Sequence, residues 1–176
     1  MSARVIMVAS GKGGTGKSTV SVLTGAALAA RGRRVLLVEL DSALRSVDYI
    51  AGVYGKTVYD VEDVLCGRCD AGKALVESPL YPGLFVISAP YSGGQVAAGA
   101  LQSFLQQAGG VFDDIVLDTA AGMGAPFEAA RAAASLALIC ITPDPVAQRD
   151  GRIVCDALLE GGCEQVRLVI NKVPRT

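Results

Sequence analysis

Apolar and polar positions along the chain sort into two kinds of segment that alternate. Short, nearly unbroken apolar runs occur at Arg4–Ala9, Arg34–Leu40, Leu84–Ser88, Ile115–Asp118, Leu136–Thr142 and Val166–Asn171. Runs of this length predict strands buried on both faces, the pattern of a parallel sheet. Longer segments between them have helical character. Ser18–Ala30 is rich in Ala, Leu and Val and closes near Gly32. A second helical stretch follows Gly93-Gly94 and runs to about Gln107, and a third, Val146–Glu160, ends at Gly161-Gly162. Strands alternating with helices predict right-handed βαβ units, hence an α/β fold of three layers with a mainly parallel central sheet flanked by helices. The interval from Asp41 to Pro82 is less regular and leaves room for two short helices. No repeat, low-complexity tract or linker interrupts the chain, so residues 1–176 are predicted to form a single domain.

Composition narrows the function classes. Apolar residues make up 51% of the chain, which suits a sheet covered on both faces. Sixteen basic residues against seventeen acidic ones leave a net charge of -1, so no specific nucleic-acid partner is expected, although bulk charge leaves room for a local basic patch. Histidine is absent. Any hydrolysis must therefore rest on carboxylates, lysines, backbone amides and a metal. Cys66, Cys69, Cys140, Cys155 and Cys163 follow no leader-like segment, since Met1 to Ala9 reads as a strand. They are read as reduced thiols of a cytoplasmic protein. No apolar run approaches the roughly 20 residues of a membrane span.

The clearest chemistry lies after the first strand. Gly11-Lys12-Gly13-Gly14-Thr15-Gly16-Lys17-Ser18 matches G-x-x-x-x-G-K-S, with a strand before it and a helix after it. Glycines let the backbone wrap a phosphate with its amides pointing inward. The following helix adds its free N–H groups and its dipole. Lys17 places positive charge on the β- and γ-phosphates, and the Ser18 hydroxyl is suited to Mg²⁺. ATP and Mg²⁺ are the expected ligands.

Extended through Thr19, the loop resembles the deviant Walker A motif of the MinD/ParA ATPases, whose hallmark is a second, early lysine, here Lys12. The resemblance implies the P-loop NTPase fold, ATP hydrolysis, and a homodimer formed on ATP in which Lys12 reaches the partner's nucleotide. The physical reading agrees: Lys12 stands too early to be the ordinary loop lysine, and an unpaired cation there needs an anion. A crossing lysine would stabilise charge much as an arginine finger does.

Other segments extend the resemblance. Val38-Glu39-Leu40-Asp41-Ser42-Ala43-Leu44-Arg45-Ser46-Val47-Asp48 resembles the MinD-type switch I, at the strand edge where open parallel sheets bind ligands. Asp41 matches the aspartate that positions the attacking water near Mg²⁺, so Lys12, Lys17 and Asp41 are the catalytic candidates. Glu39 replaces a usual aspartate and Ser46 a usual asparagine, while Asp48 is assigned to a helix cap or the surface. Phe112-Asp113-Asp114-Ile115-Val116-Leu117-Asp118-Thr119 reads as Walker B. Its Asp118 completes a metal set with Ser18 and Asp41, and Asp113 and Asp114 read as solvated. Ala120-Ala121-Gly122-Met123-Gly124 resembles switch II, with Ala120 in place of proline and the Gly122 amide aimed at the γ-phosphate. Val169-Ile170-Asn171-Lys172-Val173 resembles the adenine-side motif, with Asn171 on the base edge. Thr142 to Asp150 resembles the segment entering a helix at the dimer face. Asp144 is expected to cap that helix, and the resemblance implies dimer and regulator contacts for Arg149 and Asp150.

The resemblance runs from Val5 to Lys172 and implies a MinD-like switch in division-site or cellular positioning, answering to a protein regulator. MinD proteins are longer and end in an amphipathic membrane-targeting helix. This chain stops at Pro174-Arg175-Thr176, so membrane association is expected only indirectly, peripheral at the inner face. Two alternatives stand beside this reading. Cys66-Gly67-Arg68-Cys69 is a half-site for zinc or an iron–sulfur cluster that two copies could complete, giving a metal carrier on the same ATPase core. The departures at Glu39, Ser46 and Ala120 also admit a non-catalytic nucleotide-binding regulator. Cys140 reads as a small hydrophobe in a core strand.

Overall fold

A computed structural model of the protein describes residues 3–42, 45–91 and 97–174. Each apolar run feeds both faces of one sheet, because successive side chains of a strand point to opposite sides. β1 (Arg4–Ala9) sends Met7 and Ala9 into one core and Ile6 and Val8 into the other. β2 (Val35–Glu39) divides Leu36 and Val38 from Val35 and Leu37, and β5 (Asp114–Asp118) divides Ile115 and Leu117 from Val116. An apolar run with no polar alternation is what this two-sided burial requires. Each such side chain taken fully out of water contributes about 2 kcal/mol.

The sheet has seven strands in the order β3-β4-β2-β5-β1-β6-β7. The remaining strands are β3 (Val76–Glu77), β4 (Leu84–Ile87), β6 (Leu136–Ile141) and β7 (Gln165–Ile170). All neighbours pair in parallel except β3, which runs antiparallel to β4. On one face, α1 (Lys17–Ala29) and α2 (Ser46–Ile50) cover the core containing Val22, Val47 and Ala51. On the other, α5 (Ala98–Ala108), α6 (Ala125–Arg131) and α7 (Pro145–Glu160) contribute Leu101, Phe127 and Leu158. The short helices α3 (Val61–Leu65) and α4 (Ala71–Ala74) add Val61 and Ala74 to that second core. β7 closes the sheet in the described residues, with Leu168 and Ile170 more than half exposed.

The predicted strands and the long helices are all present, with ends shifted by a residue or so. The interval after Asp41 holds three short helices rather than two, plus the edge strand β3. α6 was not anticipated: Pro126 reads as a breaker in sequence but stands in the first turn, where its missing N–H costs nothing. The Gly93-Gly94 turn, Ala43, Leu44 and the terminal Arg175-Thr176 lie outside the described residues. Among the described residues no helix is long and apolar enough to cross a membrane.

Two charged residues sit where the sequence reading did not put them. Asp113 is exposed as expected, but Asp114 is fully buried at the start of β5. There it accepts a hydrogen bond from Arg4 Nε at 2.8 Å and pairs with Arg33, so two guanidinium groups replace the water it gives up. Asp48 is likewise buried rather than at the surface. It accepts from Ser88 Oγ at 2.5 Å and pairs with Arg45 at 2.8 Å, which fastens α2 to the end of β4.

Candidate functional site

The strand register places the site. Val8 of β1 and Glu39 of β2 both align with Asp118 of β5, so the C-terminal ends of three adjacent strands are level. The loops leaving them carry Gly11–Lys17, Asp41 and Gly122. A cleft of about 280 Å³ among them is lined by Ser10, residues 13–19, Asp41 and Ala121, with Ser46 and Ile50 of α2. A larger groove of about 1120 Å³ between α7 and β7 shares no residue with this cleft and is mainly apolar.

The phosphate loop adopts the conformation its glycines permit. Gly14 and Gly16 have φ of 78° and 90°, a region L side chains rarely adopt. A Cβ on Gly11 would lie 2.6 Å from the Asp150 backbone of α7, so this glycine is needed for close approach instead. α1 begins at Lys17 with no side-chain cap and no acidic residue in its first turn. Its N-terminal donors and dipole therefore face the cleft uncompensated by the helix's own side chains.

Lys17 is buried, and its ammonium lies 3.2 Å from Asp118 Oδ1 and 3.8 Å from Asp41 Oδ2. Asp118 Oδ1 also accepts from Ser21 Oγ at 2.7 Å. Asp118 Oδ2 is buried without a hydrogen-bond partner. An orphaned carboxylate oxygen costs free energy unless a further group meets it. With Asp41, which shares Lys17 with Asp118, and Ser18 of the adjoining cleft, it makes up an all-oxygen set of side chains whose chemistry fits Mg²⁺. Ser18 and Asp41 line the cleft, Asp118 is buried beneath it against Lys17, and Lys17 is balanced by the two aspartates.

Glu39 is the residue whose role the sequence left open. Its carboxylate is buried and accepts from the backbone N–H of Val47 at 3.2 Å and of Ala89 at 3.4 Å. The glutamate's longer arm thus ties the first turn of α2 to the exit of β4. Burial pushes its pKa up to about 7, the Asp118 and Asp48 charges add to the rise, and the two backbone hydrogen bonds oppose it.

Other candidates are engaged within the chain. Lys12 is not unpaired: its ammonium lies 3.4 Å from Asp144 Oδ1. Asp144 caps α7 as predicted, accepting from the Ala147 N–H at 2.9 Å and from Thr142 Oγ1 at 2.5 Å. The Thr142 hydroxyl first, then the Ala147 amide and Lys12, hold its pKa down to about 2. The Gly122 N–H donates to the Ser10 carbonyl at 2.9 Å, so its amide is engaged by the chain itself. Asn171 Nδ2 donates to the Thr15 carbonyl at 2.9 Å, which places its side chain on the phosphate loop. Lys172 Nζ donates to the Gly14 carbonyl at 2.7 Å, and the Cys140 thiol meets Thr15 O at 3.4 Å from β6 below. Ser21, Lys172 and the Cys140 thiol contact were missed. Only Lys172 carried a sequence signal, as the neighbour of Asn171. Cys66 is exposed and Cys69 half-buried, both as free thiols. Among the described residues no cluster of three or more His, Cys, Asp or Glu side chains could hold a metal.

Known proteins resemble this chain in sequence and in fold. The chain is 37% identical over 172 residues to the septum site-determining protein MinD of Synechocystis sp., covering 97% of this chain and 65% of that protein. Among solved structures, it is similar to MinD in the MinC:MinD cell division protein complex of Aquifex aeolicus. That match has a TM-score of 0.87 and 32% identity, covering 97% of this chain and 69% of the other. The cell division ATPase MinD of Pyrococcus furiosus matches with a TM-score of 0.88 and 26% identity, over 99% of this chain and 74% of that one. The CobQ/CobB/MinD/ParA nucleotide binding domain matches residues 6–175. With that match over nearly its whole length, and the phosphate loop and carboxylates at one sheet edge, the chain belongs to the CobQ/CobB/MinD/ParA nucleotide-binding domain family.

Proposed function

We propose that the chain is a MinD-like ATPase: it binds Mg-ATP, forms a homodimer on it, and resets by hydrolysis. The observation that carries this reading is the convergence of Lys17, Asp41 and Asp118 on the loop that also bears Lys12. The cleft's glycine loop and helix terminus suit phosphates. Ser18, Asp41 and Asp118 would hold Mg²⁺, which when bound spreads phosphate charge. Lys17 exchanges its two carboxylates for phosphate oxygens. Asp41, at the mouth of the cleft, orients the attacking water. Gly122 gives up the Ser10 carbonyl and donates to the γ-phosphate. Asn171, at the adenine-side motif position, holds the loop at Thr15 O in this structure and would meet the base edge once nucleotide is bound. Lys12 leaves Asp144 for the partner's nucleotide. That exposed pair is worth little in water, so the exchange is cheap.

The MinC:MinD complex and the cell division ATPase among the similar structures support a role in division-site positioning under a protein regulator, in the cytoplasm or peripheral to its membrane. The test is light scattering after gel filtration, with and without Mg-ATP, on Asp41→Ala. A dimer only with Mg-ATP is expected. Lys12→Ala should remain monomeric and lose on the order of 10³-fold in turnover, the low end of the range for a trans cation. Lys17→Ala should hydrolyse nothing. A Lys12→Ala variant that still dimerises and turns over ATP normally would overturn the switch.

A further inference from the structure

The corner that follows β7 is built onto the phosphate loop. Asn171 hangs from β6 through its N–H on the Ile141 carbonyl at 2.8 Å. Its side chain then bridges outward and inward. Oδ1 accepts from the Lys172 N–H at 2.9 Å, and Nδ2 donates to Thr15 O at 2.9 Å. Lys172 adopts a left-handed conformation, φ 55°, which a residue with a Cβ rarely adopts. That conformation accompanies the 2.7 Å hydrogen bond from its ammonium to Gly14 O, a charge-assisted contact across 158 positions of sequence. The approach leaves no slack: a Cβ on Gly16 would lie 2.3 Å from Asn171 Nδ2.

The consequence follows from the peptide bond. A trans peptide is planar, and its C=O and following N–H point in opposite directions. The described chain has no cis peptides. Holding the Gly14 and Thr15 carbonyls on the Lys172 and Asn171 side chains therefore turns the Thr15 and Gly16 N–H groups the other way, toward the cleft. Two consecutive amides aimed into one concavity make an anion nest. We propose that Lys172, with Asn171, is a positioning residue of the phosphate loop: it sets the direction of the loop amides and need not touch the nucleotide. The proposal rests on the ATP-site reading above.

Calorimetric titration of ATP and of ADP into wild type, Lys172→Met and Lys172→Arg, with amide NMR of the nucleotide-free proteins, tests it. Lys172→Met should weaken both nucleotides by a similar factor of roughly ten, the scale of one lost charge-assisted hydrogen bond. Lys172→Arg should recover most of the loss. The Thr15 and Gly16 amide resonances should move in nucleotide-free Lys172→Met while amide resonances remote from the loop, such as those of α5, stay in place. Unmoved amides, or undiminished affinity for both nucleotides, would overturn the proposal, and so would a loss confined to ATP, which would put Lys172 on the γ-phosphate. A wild type that binds no ATP would defeat the ATP reading alone, because the amide resonances test the corner without nucleotide.

Discussion

At the scale of the residue, one carboxylate links the loop lysine to a helix. Asp144 receives the Ala147 N–H, the Thr142 hydroxyl and the Lys12 ammonium. Its pKa is depressed to about 2, so its contribution to stability is present above the ordinary carboxylate range and is lost as pH falls toward 2. Asp144→Ala should therefore lower the thermal midpoint by on the order of 2–4 °C near neutrality, the scale of a lost helix cap. The gap from wild type should narrow below about pH 4, as the wild-type carboxylate protonates. Calorimetric melts of both proteins across that range check it; a gap that stays constant to pH 2 would show that the cap is not what Asp144 supplies. Lys17, Asp41 and Asp118 were legible in sequence because each stands at a motif position whose chemistry needs that side chain. Asp114 and Asp48 were not. A charged residue beside an apolar run reads as solvated until its partner is known, and Arg4 lies 110 positions from Asp114.

At the scale of the element, α7 is held against β6 by a missing side chain. A Cβ on Gly151 would lie 2.5 Å from Ile141 Cγ2, a methyl on a β-branched residue with little freedom to turn away. Alanine favours a helix interior over glycine by about 1 kcal/mol. Gly151→Ala should nevertheless destabilise by about 1–3 kcal/mol, because overpacking outweighs propensity. In denaturant unfolding, Gly151→Ala combined with Ile141→Ala should cost less than the two single changes added together. Additive costs would mean the two groups do not collide. Helix existence was readable here from length and from the Gly161-Gly162 stop. The tight seam was not, since nothing in the sequence tells a packing glycine from a weak helix position. α6 and β3 escaped for another reason: seven and two residues are too few to establish a period.

At the scale of the whole molecule, alternation of strand and helix announced a parallel sheet, but not the order β3-β4-β2-β5-β1-β6-β7. Order is decided by which face each crossover helix covers, a property of distant contacts. The site was more legible than the fold around it. Its motifs end three strands, and the order that seats β5 between β1 and β2 makes those ends neighbours. The outer strand β7 has a different consequence. A strand that ends the sheet of the described residues, with Leu168 and Ile170 more than half exposed, is a template onto which another stretch of polypeptide can add. Protein in this form should therefore self-associate as its concentration rises, whether or not nucleotide is present. Leu168→Lys should remove that concentration dependence in sedimentation velocity and leave the ATP-induced dimer intact. An unchanged profile would acquit the edge. The same substitution gives the cleaner background for the dimer assay, since stickiness that ignores ATP would otherwise be mistaken for a switch.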